Sequence, residues 1–439
     1  MDDGNYSGSQ EGAVMISWED FSKLSIKEQL PHFLDDSGAL QSLVCAQQLD
    51  RETILKLILT ADVLERLAGE GEVIFNRPYL MEDEGVAYLP CKHDSAYPID
   101  VSNTLKNKSC CLYFTQPSSR TLTSFSLASQ SLGMGVEDIR DPQLSSMNKG
   151  ESKLDTVLTL ASLSDVLIMR QEDEDFIWKA AHALKERGLT TRLINAGSGS
   201  DQHPTQALLD MATILSHIGL GKFLNSANLV KDKDGDWVCT IGHSGITARG
   251  ITPRDAMESA QCMSIQSLRG MYTIVMVGDL RRSRTARSLS YMLSLFPEFK
   301  QVFIALDELQ IKDDIIEHLS NKDIIYDKWP ELATYLSQAD VFYMMRLQDE
   351  YKLGSVSDIN LPSVCSRFYL SDEKVQQMKE SACILHPLPR REEIPVKIDL
   401  DKRAKYWETV KKGKYIRMAL LMCMLGERLP WILGSKNNL

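Results

Sequence analysis

Polar and cationic side chains gather at several points where an apolar run gives way to a helix-like stretch. The first is Phe114-Thr-Gln-Pro-Ser-Ser-Arg-Thr-Leu-Thr-Ser-Phe125. Ser118, Ser119 and Thr121 supply hydroxyls and Arg120 a guanidinium, between the apolar run Cys110 to Tyr113 and the helix-like Ser124 to Leu132. A helix start presents N–H groups that lack intrahelical partners, together with the positive end of the helix dipole. Hydroxyl donors and an arginine fork added there make a phosphate cradle. The pattern is neither a Walker loop nor a dinucleotide fingerprint, so the phosphate need not belong to a nucleotide. The plainer reading is an N-cap cluster beside a surface arginine, since Ser and Thr are ordinary caps.

Further groups of this kind follow in order. Ser145-Ser-Met-Asn-Lys-Gly-Glu-Ser152 reads as a Gly-containing loop before a helix at Lys153 to Ser162, with Lys149 a cation able to close over an anion. Met169-Arg170 ends an apolar strand, and ligands of open α/β sheets bind beyond strand carboxyl ends. His203-Pro-Thr-Gln-Ala-Leu-Leu-Asp210 places His203 and Gln206 in one helical turn, where imidazole and amide donors can polarise a carbonyl oxygen. Gly278 to Ser288 crowds arginines into one strand-to-helix turn, and Arg284 is the one expected to face a cleft and pair with a carboxylate. Met345-Arg346-Leu-Gln348 and His386-Pro-Leu-Pro-Arg-Arg391 again follow strands. Taken singly, each is equally well a capped turn with exposed basic residues.

The elements that must position these groups alternate. Strand-like runs at Cys110 to Phe114, Val166 to Met169 and Leu193 to Ala196 are separated by helix-like stretches. A second set begins at Tyr272 to Val277 and continues with Val302 to Ala305, Val341 to Met344 and Ala382 to Leu385. The chain is therefore expected to be α/β, with two doubly wound parallel-sheet domains and a site in the cleft between them. Leu40 to Leu67 carries helical periodicity. Residues 1–35 read as a flexible or peripheral extension. Segments 69–108 and 221–270 read as insertions, the latter with a hairpin around Asp234 to Cys239.

Composition bounds the chemistry. The 439 residues suffice for two full cores, and 43% hydrophobic with 25% charged residues is ordinary for a globular protein. With 60 acidic and 49 basic side chains the net charge is -11, which argues against a general nucleic-acid binder. Nine scattered cysteines fit a reducing compartment and show no zinc-site spacing. No apolar run approaches a membrane span, and Met-Asp-Asp-Gly lacks a signal peptide's features. The expectation is a soluble, cytoplasmic protein without metal or cofactor, acting by direct transfer between anionic substrates.

In this order the motifs resemble the aspartate and ornithine carbamoyltransferase family, over roughly residues 40–430. Ser118-Ser-Arg-Thr-Leu122 stands where the family carries Ser-Thr-Arg-Thr-Arg, its carbamoyl-phosphate signature. Lys149-Gly-Glu-Ser, Met169-Arg170 and His203-Pro-Thr-Gln206 match closely. Gly278-Asp-Leu with Arg284-Thr, Arg346 with Gln348, His386-Pro-Leu-Pro-Arg390 and Arg417-Met-Ala-Leu-Leu421 resemble the aspartate branch. The ornithine branch has His-Cys-Leu-Pro in place of His-Pro-Leu-Pro.

The resemblance implies roles. Ser118, Ser119, Arg120 and Thr121 would hold the phosphate of carbamoyl phosphate, Arg170 and His203 its carbonyl side, and Gln206 its NH2. Arg284, Arg346 and Gln348 would hold the carboxylates of L-aspartate, and Leu388 and Pro389 would give backbone contacts across a cis peptide. Ser145 and Lys149 would reach into a neighbouring subunit's site, making a homotrimer, with no regulatory subunit indicated. The implied domains are 36–215 for carbamoyl phosphate, 216–404 for aspartate, and a C-terminal helix, 405–439, returning to the first. A different amine acceptor fits poorly with the retained Arg284, Arg346 and Gln348. A non-catalytic scaffold would be expected to lose cradle or loop residues, and only Leu122 departs in that direction.

Overall fold

A computed structural model describes residues 16–70, 78–81, 85–88, 101–140, 150–219, 227–231, 237–241, 246–249, 270–348 and 366–426. In chain order the strands begin with β1 (Ser42–Leu43), then β2 (Pro78–Met81), β3 (Gly85–Tyr88), β4 (Ser109–Phe114), β5 (Gly135–Ile139), β6 (Val166–Gln171) and β7 (Arg192–Ser198). There follow β8 (Ala227–Lys231), β9 (Trp237–Ile241), β10 (Ile246–Arg249), β11 (Tyr272–Val277), β12 (Phe299–Ile304), β13 (Tyr326–Trp329), β14 (Val341–Met344) and β15 (Cys383–Leu385).

Two five-stranded parallel sheets dominate, ordered β1-β7-β6-β4-β5 and β13-β12-β11-β14-β15. Their central strands are unbroken apolar runs such as Val166-Leu-Ile-Met169 and Ile274-Val-Met-Val277, buried on both faces. That is the signature of a sheet covered by helices on each side, and it makes the chain doubly wound α/β. In the second sheet the chain starts at the central β11, winds outward through β12 to β13, then returns to β14 and winds the other way; in the first, beyond the edge strand β1, it enters at β4, steps out to β5, then returns to β6 and winds on to β7. Order thus reverses between β4 and β6 in the first unit and between β11 and β14 in the second. A crevice opens outside the strand carboxyl ends at such a reversal.

Several boundaries differ from the sequence reading. The expected helix over Leu40 to Leu67 is instead β1, a 3₁₀ turn (Ala46–Gln48) and a helix Arg51–Glu70. β1 pairs Ser42 with Leu193 at the sheet edge, a contact too short to show a period. The helix read from Ser124 runs from Ser119 to Ser131, so it starts inside the polar cluster. The insertion around 221–270 carries an antiparallel sheet β10-β9-β8, its expected hairpin being the β8–β9 pair. A second antiparallel pair, β2–β3, lies within 69–108.

Of the extension read as flexible or peripheral, residues 16–35 fold against the first unit; residues 1–15 lie outside the described residues. Short helices at Trp18–Phe21 and Ile26–Gln29 are capped by Ser17 and Ser25 and lead into the turn Leu30–Phe33. Phe21 and Phe33 are buried in a cluster with Val44, Tyr113, Ile177 and Leu184. Four-residue helices carry no readable period, and two isolated phenylalanines in a polar stretch do not announce a core contact.

The helix Tyr406–Met424 packs against the first unit's helices Arg51–Glu70, Ser119–Ser131 and Pro204–Ile218. The two units are bolted together by polar contacts. Ser288 Oγ accepts from the His203 N–H at 2.9 Å and donates to Gln202 Oε1 at 2.7 Å. Arg51 forks onto Glu298 at 2.8 and 3.2 Å, with its guanidinium 4.6 Å from the Phe296 ring centre. Glu298 is 1% exposed. Removing one partner of such a pair leaves a buried charge uncompensated, typically at about 3 kcal/mol or more. Arg51→Met is therefore expected to lower the urea midpoint by an amount equivalent to about 3 kcal/mol. Arg51→Met/Glu298→Gln should recover part of the loss. An unchanged midpoint in the single variant would show that the pair does not hold the units.

Candidate active site

On the first unit's side, Ser118 is the N-cap of the helix Ser119–Ser131, but its hydroxyl makes no capping bond. By contrast, Ser152 and Ser283 cap their helices through Oγ, accepting from Asp155 N–H at 3.0 Å and Ala286 N–H at 3.2 Å. The first-turn N–H groups beside Ser118 therefore lack the hydroxyl that would occupy them, which is the state an anion requires. Arg120 and Ser119 open to solvent at the crevice mouth, while Thr121 is buried and Leu122 packs in the apolar core.

Arg170 sits opposite Phe114 in the β4–β6 ladder, at the reversal point, and is 8% exposed. Its carbonyl accepts from Thr115 N–H at 3.1 Å, and its Nη1 donates to Ala196 O at 3.1 Å. His203 is the N-cap of the helix Pro204–Ile218 and its ring is buried. Gly197, at φ +118°, lies among these groups. A Cβ there would stand 2.6 Å from Arg170 Nη1, 3.3 Å from Arg284 Cζ and 3.3 Å from His203 Cδ2. Only glycine takes that backbone conformation readily, and its missing side chain is the space in which the three groups converge.

The second unit contributes from β11 and β14. Gly278, at φ +116°, lets Met345 O approach where a Cβ would be 2.3 Å away, drawing the two strand ends together. Arg284 opens the next helix and crosses to the first unit, donating to Gln116 Oε1 at 2.9 Å and Gly199 O at 2.7 Å. After β14, Arg346 donates to Leu347 O at 3.0 Å, and the Gln348 N–H donates to Asp279 Oδ2 at 3.0 Å. Asp279 also binds Arg282 Nε at 2.7 Å, which fixes the turn ahead of Arg284. Beyond β15, Leu388 has φ +53° and precedes a cis bond to Pro389, the cis bond expected there. Its N–H donates to His386 Nδ1 at 2.8 Å, so His386 Nε2 carries the proton toward Glu393 Oε1, also at 2.8 Å. Arg390 is committed elsewhere, to Asp399 and to Tyr406 Oη at 2.9 Å.

The electrostatics follow from this crowding. Burial pulls His203 well below the ordinary imidazole range, with Arg284, Arg170 and Arg417 adding to the effect. The ring is thus neutral at pH 7 and able to donate without carrying charge. Arg120, exposed at its surface side, is lowered by partial desolvation where it meets the crevice, and Arg346 adds repulsion. His386 is lowered by burial, opposed by Glu393 and assisted by Arg346 and Arg120. These shifts place Arg120, Arg346 and His386 within one another's field.

The structure therefore gathers Arg170, His203 and Arg284 around one point, with Arg120, Arg346 and the Leu388–Pro389 loop nearby. Gln206 stands one turn from His203, half-buried, with its amide donating to Asp210 Oδ1 at 3.1 Å. Ser145 and Lys149 lie outside the described residues. Three participants were not singled out from sequence. Gln116 orients Arg284, and Asp210 holds Gln206 while accepting from Tyr343 Oη at 2.7 Å. A helical spacing of four from Gln206 could have flagged Asp210. Nothing in sequence links it to Tyr343, 133 residues away.

A crevice flanked by arginines from both units around a neutral buried imidazole is an anion-handling site of the doubly wound α/β class. Residues 41–216 match the family model "Aspartate/ornithine carbamoyltransferase, carbamoyl-P binding domain", and residues 271–424 match the corresponding "Asp/Orn binding domain". The chain belongs to the aspartate/ornithine carbamoyltransferase family. It is 30% identical over 394 residues to the chloroplastic aspartate carbamoyltransferase of Oryza sativa subsp. japonica, covering 89% of this chain and 86% of that protein. It is 32% identical over 332 residues to the aspartate carbamoyltransferase catalytic subunit of Bifidobacterium longum subsp. infantis, covering 75% and 86%. The structure of Trypanosoma cruzi aspartate transcarbamoylase with N-(phosphonacetyl)-L-aspartic acid superposes with a TM-score of 0.64 at 27% identity, covering 90% of this chain and 99% of that one.

Asp210 gives the site a pH signature. Burial raises its carboxyl to about 7, against the opposing pull of Tyr343, Gln206 and Arg417. A carboxyl whose folded value is raised binds its proton more tightly in the native state. Its contribution to stability is therefore full at low pH and is lost as pH rises from about 4 toward 7. Between pH 5 and 7 this loss is on the order of 2 kcal/mol. Urea unfolding at both pH values should show that Asp210→Asn lacks this component relative to the native chain. Identical pH slopes in the two proteins would mean that Asp210 ionises normally.

Proposed function

We infer that this chain is an aspartate carbamoyltransferase, moving the carbamoyl group of carbamoyl phosphate onto the amine of L-aspartate. The products are N-carbamoyl-L-aspartate and phosphate, a step of pyrimidine biosynthesis. The observation that carries this reading is the convergence of Arg170, His203 and Arg284, from both units, on the space at Gly197.

The residues divide the work. Ser118, Ser119, Arg120 and Thr121, with the helix start behind them, hold the phosphate. Arg170 and neutral His203 face the carbamoyl oxygen, and Gln206 holds the carbamoyl NH2, itself aimed by Asp210. Thr205 Oγ1 lies 3.4 Å from His203 Nδ1; in the tautomer in which that hydroxyl donates, the ring proton sits on Nε2, available to the oxygen as negative charge develops. Arg284, Arg346 and Gln348 receive the aspartate carboxylates, and Leu388 and Pro389 add main-chain contacts. The aspartate amine attacks the carbamoyl carbon, forming the C–N bond. The tetrahedral intermediate then expels phosphate by breaking the C–O bond, and the departing phosphate accepts the amine's proton. Positioning and charge stabilisation supply most of the acceleration. Leu122 packs in the core, so the absence of an arginine there leaves the cradle's donors in place.

The working unit of this proposal is a cytoplasmic homotrimer. Residues 36–215 hold carbamoyl phosphate, 216–404 hold aspartate, and 405–439 return to the first domain. Ser145 and Lys149 enter a neighbour's site. Among the described residues no helix is long and apolar enough to cross a membrane. The name of the rice relative places that protein in the chloroplast.

Purified protein should form carbamoyl aspartate from carbamoyl phosphate and L-aspartate, and show no turnover with ornithine or putrescine. Arg120→Ala and His203→Ala are each expected to lower kcat by about 10²–10³-fold. Arg346→Ala should raise KM for aspartate by about 10–100-fold while leaving carbamoyl-phosphate binding little changed. Mixing inactive Arg120→Ala and Lys149→Ala chains should restore activity if sites are shared between subunits. A folded native chain inert toward every acceptor would end the catalytic reading in favour of a scaffold.

A further inference from the structure

We propose that His32, His182 and Glu186 form a divalent-cation site, suited to zinc, that clamps the N-terminal segment onto the first unit. His182 and Glu186 stand one turn apart on the helix Phe176–Glu186, a spacing that puts both side chains on one face. His32 arrives from the turn Leu30–Phe33, ahead of residue 41 where the family match begins. His182 Nδ1 lies 3.0 Å from His32 Nε2, which is 3.6 Å from Glu186 Oε1. All three ligand atoms fall within 4.8 Å of one another. Two ligand atoms on a tetrahedral zinc, each about 2.0–2.1 Å from the metal, stand roughly 3.3 Å apart. Two of the three pairs, at 3.0 and 3.6 Å, already lie near that spacing, and the third falls within 4.8 Å.

The chemistry of the donors agrees. Two imidazole nitrogens and one carboxylate oxygen are a zinc-type set that leaves a fourth position for water. His182 is also hydrogen-bonded by the Ile16 main chain, the kind of outer partner that fixes a ligating ring's tautomer and orientation. The Phe21 ring stacks on His182 with centroids 4.6 Å apart and planes 22° apart, and buried Phe33 closes the apolar floor. His32 and Glu186 side chains each keep 18% exposure, which leaves an entry path. Lys185, the neighbouring cation, donates to Leu34 O at 2.9 Å and fastens the same segment. The same three groups could satisfy one another by a His–His hydrogen bond and a His–Glu ion pair without a cation. The two arrangements differ in what zinc does to the protein.

The full chain, stripped with chelator, is titrated with zinc against a competing dye and separately with cobalt(II), followed by visible absorption. The expected result is about one equivalent bound per chain, with the intense cobalt bands of a four-coordinate site. Zinc should also raise Tm and slow trypsin cleavage at Lys23 and Lys27. His32→Ala and Glu186→Gln should each bind zinc at least about tenfold more weakly and lose the zinc-dependent protection. Their Tm in chelator should match that of the native chain in chelator, which separates lost ligation from a damaged fold. Equal zinc binding by His32→Ala and the native chain would overturn the proposal. So would a native chain whose Tm and cleavage rate ignore zinc.

Discussion

Guanidinium groups gathered at one crevice repel one another, and the rest of the structure is arranged to hold them there. Two unit charges about 4 Å apart at a partly screened site cost on the order of 4 kcal/mol. Rigid backbone offsets that cost: Ala196 O fixes Arg170, Gly199 O fixes Arg284 and Leu347 O fixes Arg346. Ala196 lies near the carboxyl end of β7, and Gly199 and Leu347 follow β7 and β14 closely, so the sheets themselves aim the charges. Burial first, and the same field second, keep His203 neutral, so its ring can donate a hydrogen bond without carrying charge.

The two sheets are built alike, and the site exists because their reversal points face one another. β4 and β6 deliver Ser118 to Thr121 and Arg170, whereas β11 and β14 deliver Arg284, Arg346 and Gln348. The units are joined through the elements that line the crevice. The His203 N–H is held by Ser288 of the second unit, and Asp210, which aims Gln206, is held by Tyr343 of β14. A shift of one unit against the other would therefore disturb the groups at the crevice directly. Coupling of domain position to site geometry is built into these bonds.

Two additions lie outside the family-matched segments and differ in kind. The helices at 16–35 bury Phe21 and Phe33 against the first unit, while β8, β9 and β10 form a small sheet of their own between the two family-matched segments. The first is packed by apolar contacts and a histidine pair. The second is closed by its own antiparallel hydrogen bonds.

Local pattern alone determined the α/β class, most of the strands and the polar groups that follow them. Buried parallel strands must be continuous apolar runs, and the groups that act beyond their ends follow at fixed offsets, as Arg170 follows Met169 and Arg346 follows Met345. Tertiary structure decided what depends on distant partners. Whether Ser118 caps its helix or leaves it open, which arginine crosses to Gln116, and how far the Asp210 carboxyl is raised are set by neighbours far along the chain. So are the burial of Phe21 and the meeting of His32 with His182. Hydrogen bonding, desolvation and charge act through space, and a one-dimensional pattern records only those contacts that recur at the period of a helix or a strand.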